Sequence, residues 1–393
     1  MNQVYVVAAR RTPILRSARQ YSQIGAERLA ATVIDALLQE TGVPPGEVDQ
    51  VLLGSAAGPG GNIARVATLA SSLGPDVPAT SFDAQCASGL EAIAAGARVI
   101  ACGEARVVIA GGTESVSTAP WRLSNPHDPM EPVRRYSRAR FTPAPDPDPG
   151  MGVAAENIAR RYGISRERQD RFALRSHHRA LAAQQAGHFT GELVPVGTPQ
   201  GVVTRDGCPR SNLSMEKLSA LRPAFVAGGS VTAGNSCPIN DGAAAVMLVD
   251  AETLGRLRVG FALRYLGAAA GACDPQVLGM AAVPAYRNLQ RLLPQLLQAP
   301  PRLLEFNEAF AVQALACLDE LDVAEACVNL EGGALALGHP YGASGGILVS
   351  RLFWQARRRG LHGANAVALM AAAGGTGSAV AFEALALQSP AAA

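Results

Sequence analysis

Ser81-Phe-Asp-Ala-Gln-Cys86-Ala-Ser-Gly-Leu90 passes from an extended segment into an alanine-rich helix, Leu90 to Ile100, with a cysteine at the join. Strand running directly into helix is the building unit of a sheet covered on its faces by helices. The join also has a chemical meaning. Unpaired backbone N–H groups and the helix dipole favour a thiolate there, so Cys86 is expected to ionise readily and serve as a nucleophile. The plainer reading is a small buried core cysteine. This stretch alone leaves both open.

Working outward, the chain alternates strands and helices. Val4–Ala9 reads as an apolar strand stopped by Arg10-Arg-Thr-Pro13. Ala26, Leu29, Ala30, Val33, Ala36 and Leu37 recur at helical spacing, and that helix ends near Gly42 and Pro44-Pro45. Val48–Leu53 is a short strand before the glycine-rich loop 54–61, and Arg106–Ala110 is another, closing on Gly111-Gly-Thr-Glu-Ser115. Downstream the pattern predicts strands at 244–249, 261–266, 303–306 and 366–370, with helices near 279–293, 308–320 and 343–359.

Between these series lies a different composition. From Trp121 to about Gly150 prolines are frequent and arginines cluster at 134, 135, 138 and 140, which marks a surface excursion. Helices then resume at Gly152–Tyr162 and from the N-cap Ser165 to Ala186. Residues 120–239 therefore read as an inserted, solvent-facing unit, with 1–119 plus 240–257 before and around it and 258–393 after it. The flanking parts rhyme: Ile109-Ala-Gly-Gly-Thr113 resembles Met370-Ala-Ala-Ala-Gly-Gly-Thr376, and Ala87-Ser-Gly89 resembles Ala343-Ser-Gly345. An internal duplication predicts two similar units packed about a shared axis.

Bulk properties limit the function. The 393 residues suffice for two or three domains, and 48% hydrophobic with 17% charged residues is globular composition. A net charge of +2 is too balanced for nucleic acid or an anionic membrane as the main partner. Seven cysteines without a C-x-x-C pair argue against a disulfide framework and a zinc site. Reduced thiols suit a reducing, cytoplasmic compartment. The strand at Val4 leaves no room for a signal peptide, and no apolar run approaches the ~20 residues of a membrane span.

Two further stretches carry candidate chemistry. Gly332 to Gly345 sets His339 in a glycine-dense turn, where close backbone approach allows an imidazole to be offered to a ligand. Asn307-Glu-Ala-Phe-Ala311 follows a buried strand, a place from which Asn307 and Glu308 would line a cleft, although helix capping explains Asn307 equally well. His177 and His178 lie in a charged helical stretch and read as surface residues.

Taken in order, Val4–Pro13, the Cys86 segment, Gly111–Pro120, Met151-Gly-Val-Ala-Ala-Glu-Asn157, Leu221-Arg-Pro-Ala-Phe225, Val231–Gly242, Asn307–Ala311 and Gly332–Gly345 resemble the thiolases nearly end to end. The resemblance implies an α/β thiolase fold of five α-β-α-β-α layers, duplicated, with a loop domain over bound coenzyme A. It implies that Cys86 takes the acyl group as a thioester. His339 and a water held by Asn307 would form one oxyanion hole; the backbone N–H groups of Cys86 and Ala373 would form the other. Arg210 falls where the family meets the CoA nucleotide, and Met151, Cys237 and Phe310 where it lines the pantetheine tunnel, Cys237 replacing a usual serine. Acyl-CoA is then a substrate and no tightly bound cofactor or metal is implied. A homodimer or homotetramer is.

One departure stands out. The family's second catalytic cysteine, its acid/base, falls at Ala371, and a methyl group carries no proton. General acid–base help supplies roughly 10²–10⁴-fold, so ordinary thiolase turnover is expected to be impaired or altered. Gly150 is a lesser departure, where many biosynthetic members have histidine. The expected activity is acyl transfer through Cys86, as condensation or thiolysis of 3-ketoacyl-CoA. The alternatives are a decarboxylating condensing enzyme, acyl transfer to another acceptor or thioester hydrolysis by the Cys/His/Asn set, and a non-catalytic CoA-binding scaffold.

Overall fold

The computed structural model describes residues 2–126, 128 and 130–387. The first series of elements comprises β1 (Val4–Arg11), α1 (Ala26–Thr41), β2 (Gln50–Gly54), α2 (Ile63–Ala70), β3 (Ala79–Phe82), α3 (Ser88–Ala101) and β4 (Val107–Ser115). After α4 (Met151–Tyr162) and α5 (Arg166–Gln185) come β5 (Asn240–Asp250), β6 (Phe261–Ala272), α6 (Ala282–Leu292), β7 (Leu303–Phe306), α7 (Ala311–Glu320), α8 (Ser344–Arg358), β8 (Asn365–Ala372) and β9 (Thr376–Ala386).

The strands join in the order β7-β8-β9-β6-β1-β5-β4-β2-β3. Read outward from the β6–β1 seam, the two arms repeat. β1 pairs antiparallel with β5, β5 antiparallel with β4, and β4 parallel with β2. β6 pairs antiparallel with β9, β9 antiparallel with β8, and β8 parallel with β7. The seam is narrow, with Tyr5 opposite Arg264 and Val6 opposite Leu263. The duplicated strings Ile109–Thr113 and Met370–Thr376 thus fall at the ends of equivalent strands, β4 and β8.

Alternation of side chains along the strands sorts the core into layers. On β8, Ala366, Ala368, Met370 and Ala372 face one cluster, while Val367, Leu369 and Ala371 face another. The first cluster is the middle layer, where α3 and α8 lie between the two arms. Outside it, α1 and α2 cover the first arm and α6 and α7 the second. These are the five α-β-α-β-α layers expected. The middle helices approach closely through glycine: a Cβ on Gly89 would lie 2.4 Å from the Gly342 carbonyl oxygen, and one on Gly345 would lie 2.1 Å from the Leu90 nitrogen.

The described residues between 121 and 150 are mostly exposed, with Trp121 stacked under Arg135. Helix α5 begins at the N-cap Ser165, whose side chain accepts from the Arg168 N–H. What ties this region down is a buried ionic cluster. Arg11 of β1 pairs with Glu192 and Asp206 at 2.7 Å each, and Arg351 of α8 pairs with Glu192 and Glu331 at 2.8 Å each. A partner removed there would strand a buried charge, costing about 3–5 kcal/mol.

Candidate active site

Cys86 lies just ahead of α3, whose N-cap is Ala87 and whose first residue is Ser88, two residues earlier than the sequence suggests. Gln85 before it adopts φ 54°, a left-handed turn uncommon outside glycine, which swings the cysteine out of the strand–helix join. The sulfur lines a cavity of about 450 Å³ together with His339, Tyr341, Ala371, Ala373, Met151, Cys237 and Phe310. The backbone N–H groups of Ala373 and of Cys86 itself lie near enough to Sγ to favour its charged form, against burial, which opposes it. Ala373 presents its N–H from the tight turn between β8 and β9, where Gly374 and Gly375 take φ of 81° and 78°.

The expected thiolate is corrected here. Burial pushes the Cys86 thiol up to about 12, outweighing the two backbone donors. A helix terminus stabilises a thiolate only where desolvation does not cost more. The resting group is a thiol, and its nucleophilicity depends on a base. His339 is suited to that task. Burial holds its imidazole down at about 4, so it is neutral at working pH and able to accept a proton. Its Nδ1 sits 2.6 Å from Ser344 Oγ and its Nε2 lies 3.4 Å from Asn307 Nδ2. Nδ1 donating to the serine leaves Nε2 as the acceptor. Asn307 does not cap α7, whose N-cap is Phe310; its side chain meets the imidazole instead.

Other expectations separate. Met151 opens α4, and Gly150 is that helix's N-cap with open space around it. Phe310 stacks edge-on with Phe225 at 6.0 Å, and the Cys237 N–H donates to the Ala309 carbonyl, so these residues line one wall. Arg210 is half-buried and absent from the cavity wall. Its backbone N–H donates to His177 Nδ1. That corrects the placing of His177 on the surface: it is 2% exposed, and burial lowers its imidazole to about 4, while His178 is exposed. A histidine facing inward from a charged helix is invisible when only the charged face is read. Neither Asn307 nor Glu308 lines the cleft as expected: Asn307 lies behind the imidazole, and the buried Glu308 carboxylate accepts from Ser176, Asn329 and the Leu335 N–H.

Two residues of the site were not singled out from sequence. Glu114, at the end of β4 and fully buried, accepts from Ser55 Oγ and from the Ala56, Ala57 and Gly342 N–H groups. It joins a cavity-lining loop of the first arm to the loop that bears His339. Its signal was a lone carboxylate inside an otherwise uncharged strand end. Tyr341, two residues past His339, packs edge-on against the imidazole at 5.5 Å. Among the described residues no cluster of three His, Cys, Asp or Glu is placed to hold a metal ion. Nor is any helix there long and apolar enough to cross a membrane.

A doubled α/β unit with a thiol, an imidazole and converging backbone donors at one cavity defines an enzyme architecture rather than a binding module. Matches to the thiolase N-terminal domain over residues 4–252 and the thiolase C-terminal domain over 261–384 show which: the chain belongs to the thiolase family. It is 40% identical over 400 residues to an acetyl-CoA acetyltransferase of Chromobacterium violaceum, covering 97% of this chain and 99% of that one. The fold superposes on a Bacillus anthracis acetyl-CoA acetyltransferase with TM-score 0.89 at 34% identity, covering 98% and 99% of the two chains. On human mitochondrial 3-ketoacyl-CoA thiolase in complex with CoA the TM-score is 0.91 at 33% identity, with 98% of each chain covered. The protein is accordingly an enzyme of the acyltransferase class.

Proposed function

We propose that the protein is an acyl-CoA C-acyltransferase that carries its acyl group as a thioester on Cys86. The carrying observation is that one cavity brings together the Cys86 thiol, a neutral His339 imidazole and the Ala373 turn. In this reading His339 takes the Cys86 proton as the sulfur attacks the substrate carbonyl. The imidazolium, with a water held by Asn307, faces one developing oxyanion. The N–H groups of Cys86 and Ala373 face the acyl-enzyme carbonyl, and such donors are commonly worth about 3–4 kcal/mol each. Met151, Cys237 and Phe310 flank the pantetheine arm of coenzyme A, which is substrate rather than resident cofactor. Arg210, outside the cavity wall, would meet the nucleotide end. Residues 120–239 serve as the covering unit between the two duplicated domains, and the family resemblance favours a cytoplasmic homodimer or homotetramer.

Ala371 stands where the family's acid/base cysteine would be. Its methyl lines the cavity and is 9% exposed, so it faces the reaction without a proton to give. That observation favours a second reading alongside the first, in which loss of CO₂ from a malonyl-type thioester supplies the carbanion and no α-proton base is needed. Incubation with acetyl-CoA followed by intact-mass measurement tests the shared step. An acetyl adduct is expected on the parent and none on Cys86→Ala. Thiolysis of acetoacetyl-CoA, set against condensation with malonyl-CoA, then separates the two readings. Absence of an adduct on the parent would sink both.

A further inference from the structure

With position 371 unable to move a proton, the remaining proton-bearing side chains on the cavity wall acquire weight. His339 already takes the Cys86 proton in the reading above, with Nδ1 held by Ser344. Cys237 also lines the cavity beside Cys86, so it is the rival that the test below must exclude. Tyr341 differs. Its backbone N–H is bonded to the His339 carbonyl at 2.9 Å and its ring sits edge-on to the imidazole, so the phenol is fixed relative to the catalytic histidine. The next residue, Gly342, is pinned by Glu114 at 3.0 Å. The phenol lines the cavity, and no hydrogen bond from the described residues bears on its hydroxyl.

We propose that Tyr341 is the proton carrier for the carbon–carbon cleavage half of the reaction, in place of a group at 371. This rests on the acyl-Cys86 reading above. The Cys86 proton passes to His339 as Sγ bonds to C3 of a 3-ketoacyl-CoA. The C2–C3 bond then breaks with its electron pair going to C2, and the Tyr341 hydroxyl proton moves to C2 to release acetyl-CoA, leaving the shortened acyl group on Cys86. The tyrosinate takes the S–H proton of incoming coenzyme A. That thiolate attacks the acyl-Cys86 carbonyl, and the departing sulfur recovers its proton from His339. The Cys86 proton returns by way of His339, the proton given to C2 is replaced from coenzyme A, and no reagent beyond the two substrates is required. Burial, and then the neighbouring Cys237, Cys86 and Glu114, raise the phenol above its ordinary value. It therefore starts protonated, as a donor to a carbanion must, and once ionised it is basic enough to take a thiol proton.

The test compares the parent with Tyr341→Phe, which keeps the ring, and with Cys237→Ser. Three quantities are read: the acyl adduct on Cys86, thiolysis of acetoacetyl-CoA, and deuterium incorporation from D₂O into C2 of acetyl-CoA. Tyr341→Phe is expected to form the adduct while thiolysis and C2 exchange both fall about 10²-fold. A merely structural tyrosine would not remove exchange while sparing acylation. If Tyr341→Phe retains exchange and thiolysis, or Cys237→Ser is the variant that loses them, the assignment to Tyr341 is overturned while the acyl-Cys86 reading survives. A parent without adduct overturns that reading and this one together.

Discussion

Helix α3 opens Ala87-Ser88-Gly89 and helix α8 opens Ala343-Ser344-Gly345, and each serine hydroxyl turns back on the loop before it. Ser88 Oγ accepts from the Ala84 N–H at 2.9 Å and donates to the Gln85 carbonyl. It thereby clamps the backbone of the left-handed turn that presents Cys86. Ser344 Oγ instead meets the His339 ring at Nδ1. A nucleophile two residues from its serine is aimed by backbone geometry alone. An imidazole five residues away has two side-chain torsions left to fix, and a side-chain partner fixes them. From one ancestral pattern, the first arm came to hold a sulfur and the second came to hold a ring.

The strand ends preceding these features diverge as well. β4 closes on Glu114, which braces the loops of both arms, whereas β8 closes on Ala371 and the Gly374–Gly375 turn. The largest expected effect comes from placing a thiol at that second strand end. Ala371→Cys should raise thiolysis and condensation together, since the equilibrium between them is fixed. We expect about 10²-fold, the low end for acid–base help, if the Tyr341 phenol serves cleavage as proposed above. Steady-state assays in both directions check it. Unchanged rates would mean that position 371 does not face the reacting carbon.

How far this division of labour can be read from sequence depends on what each feature rests on. The β4/β8 and α3/α8 equivalences were legible because glycines at close backbone approaches leave short identical strings, such as Ala-Ser-Gly. The helices with apolar stripes were legible for the usual reason, their period. Helix α2 was hidden behind the glycine loop, and in β9 the strand formers Thr376, Val380 and Phe382 are diluted by alanine. β9 is a strand because β6 and β8 pair with it on both sides. In the site, Cys86, His339 and Asn307 were legible as residue types, but ionisation was not. The helix terminus suggested a thiolate, and only the packed cavity reveals that desolvation wins. Glu114 was missed because its role depends on contacts between arms, and Tyr341 because its role depends on which way its ring turns beside His339.

A smaller effect is expected from Ser344→Ala. Without the serine the imidazole loses the partner that sets both its orientation and the tautomer leaving Nε2 free. The acylation rate should fall about tenfold, near the 1.4 kcal/mol net worth of a hydrogen bond at its upper range. The pH dependence sharpens this. His339 accepts a proton only while neutral, so the parent's acylation rate should be level at neutral pH and drop as pH falls through about 4. An orientational loss in the variant lowers the level part of that profile. Rapid-quench intact-mass measurement across pH separates a lowered plateau from a shifted acid limb, and a shifted limb alone would contradict the positioning role.

The smallest effect on rate should come from the partner serine. Ser88→Ala leaves the Ala84 N–H without its acceptor beside a fully buried helix start, at a cost of about 1–3 kcal/mol in stability. Gln85 would keep its left-handed turn only with the remaining Ser88 N–H bond to its carbonyl, at 3.0 Å. That bond is backbone and survives the substitution, so Cys86 should stay close to its place and acylate at nearly the parent rate. The denaturant midpoint should fall more for Ser88→Ala than for Ser344→Ala, while the acylation rate falls more for Ser344→Ala. If both substitutions move the same quantity by the same amount, the two helix starts have not diverged in role. The asymmetry between a backbone-aimed sulfur and a side-chain-aimed ring would then be wrong.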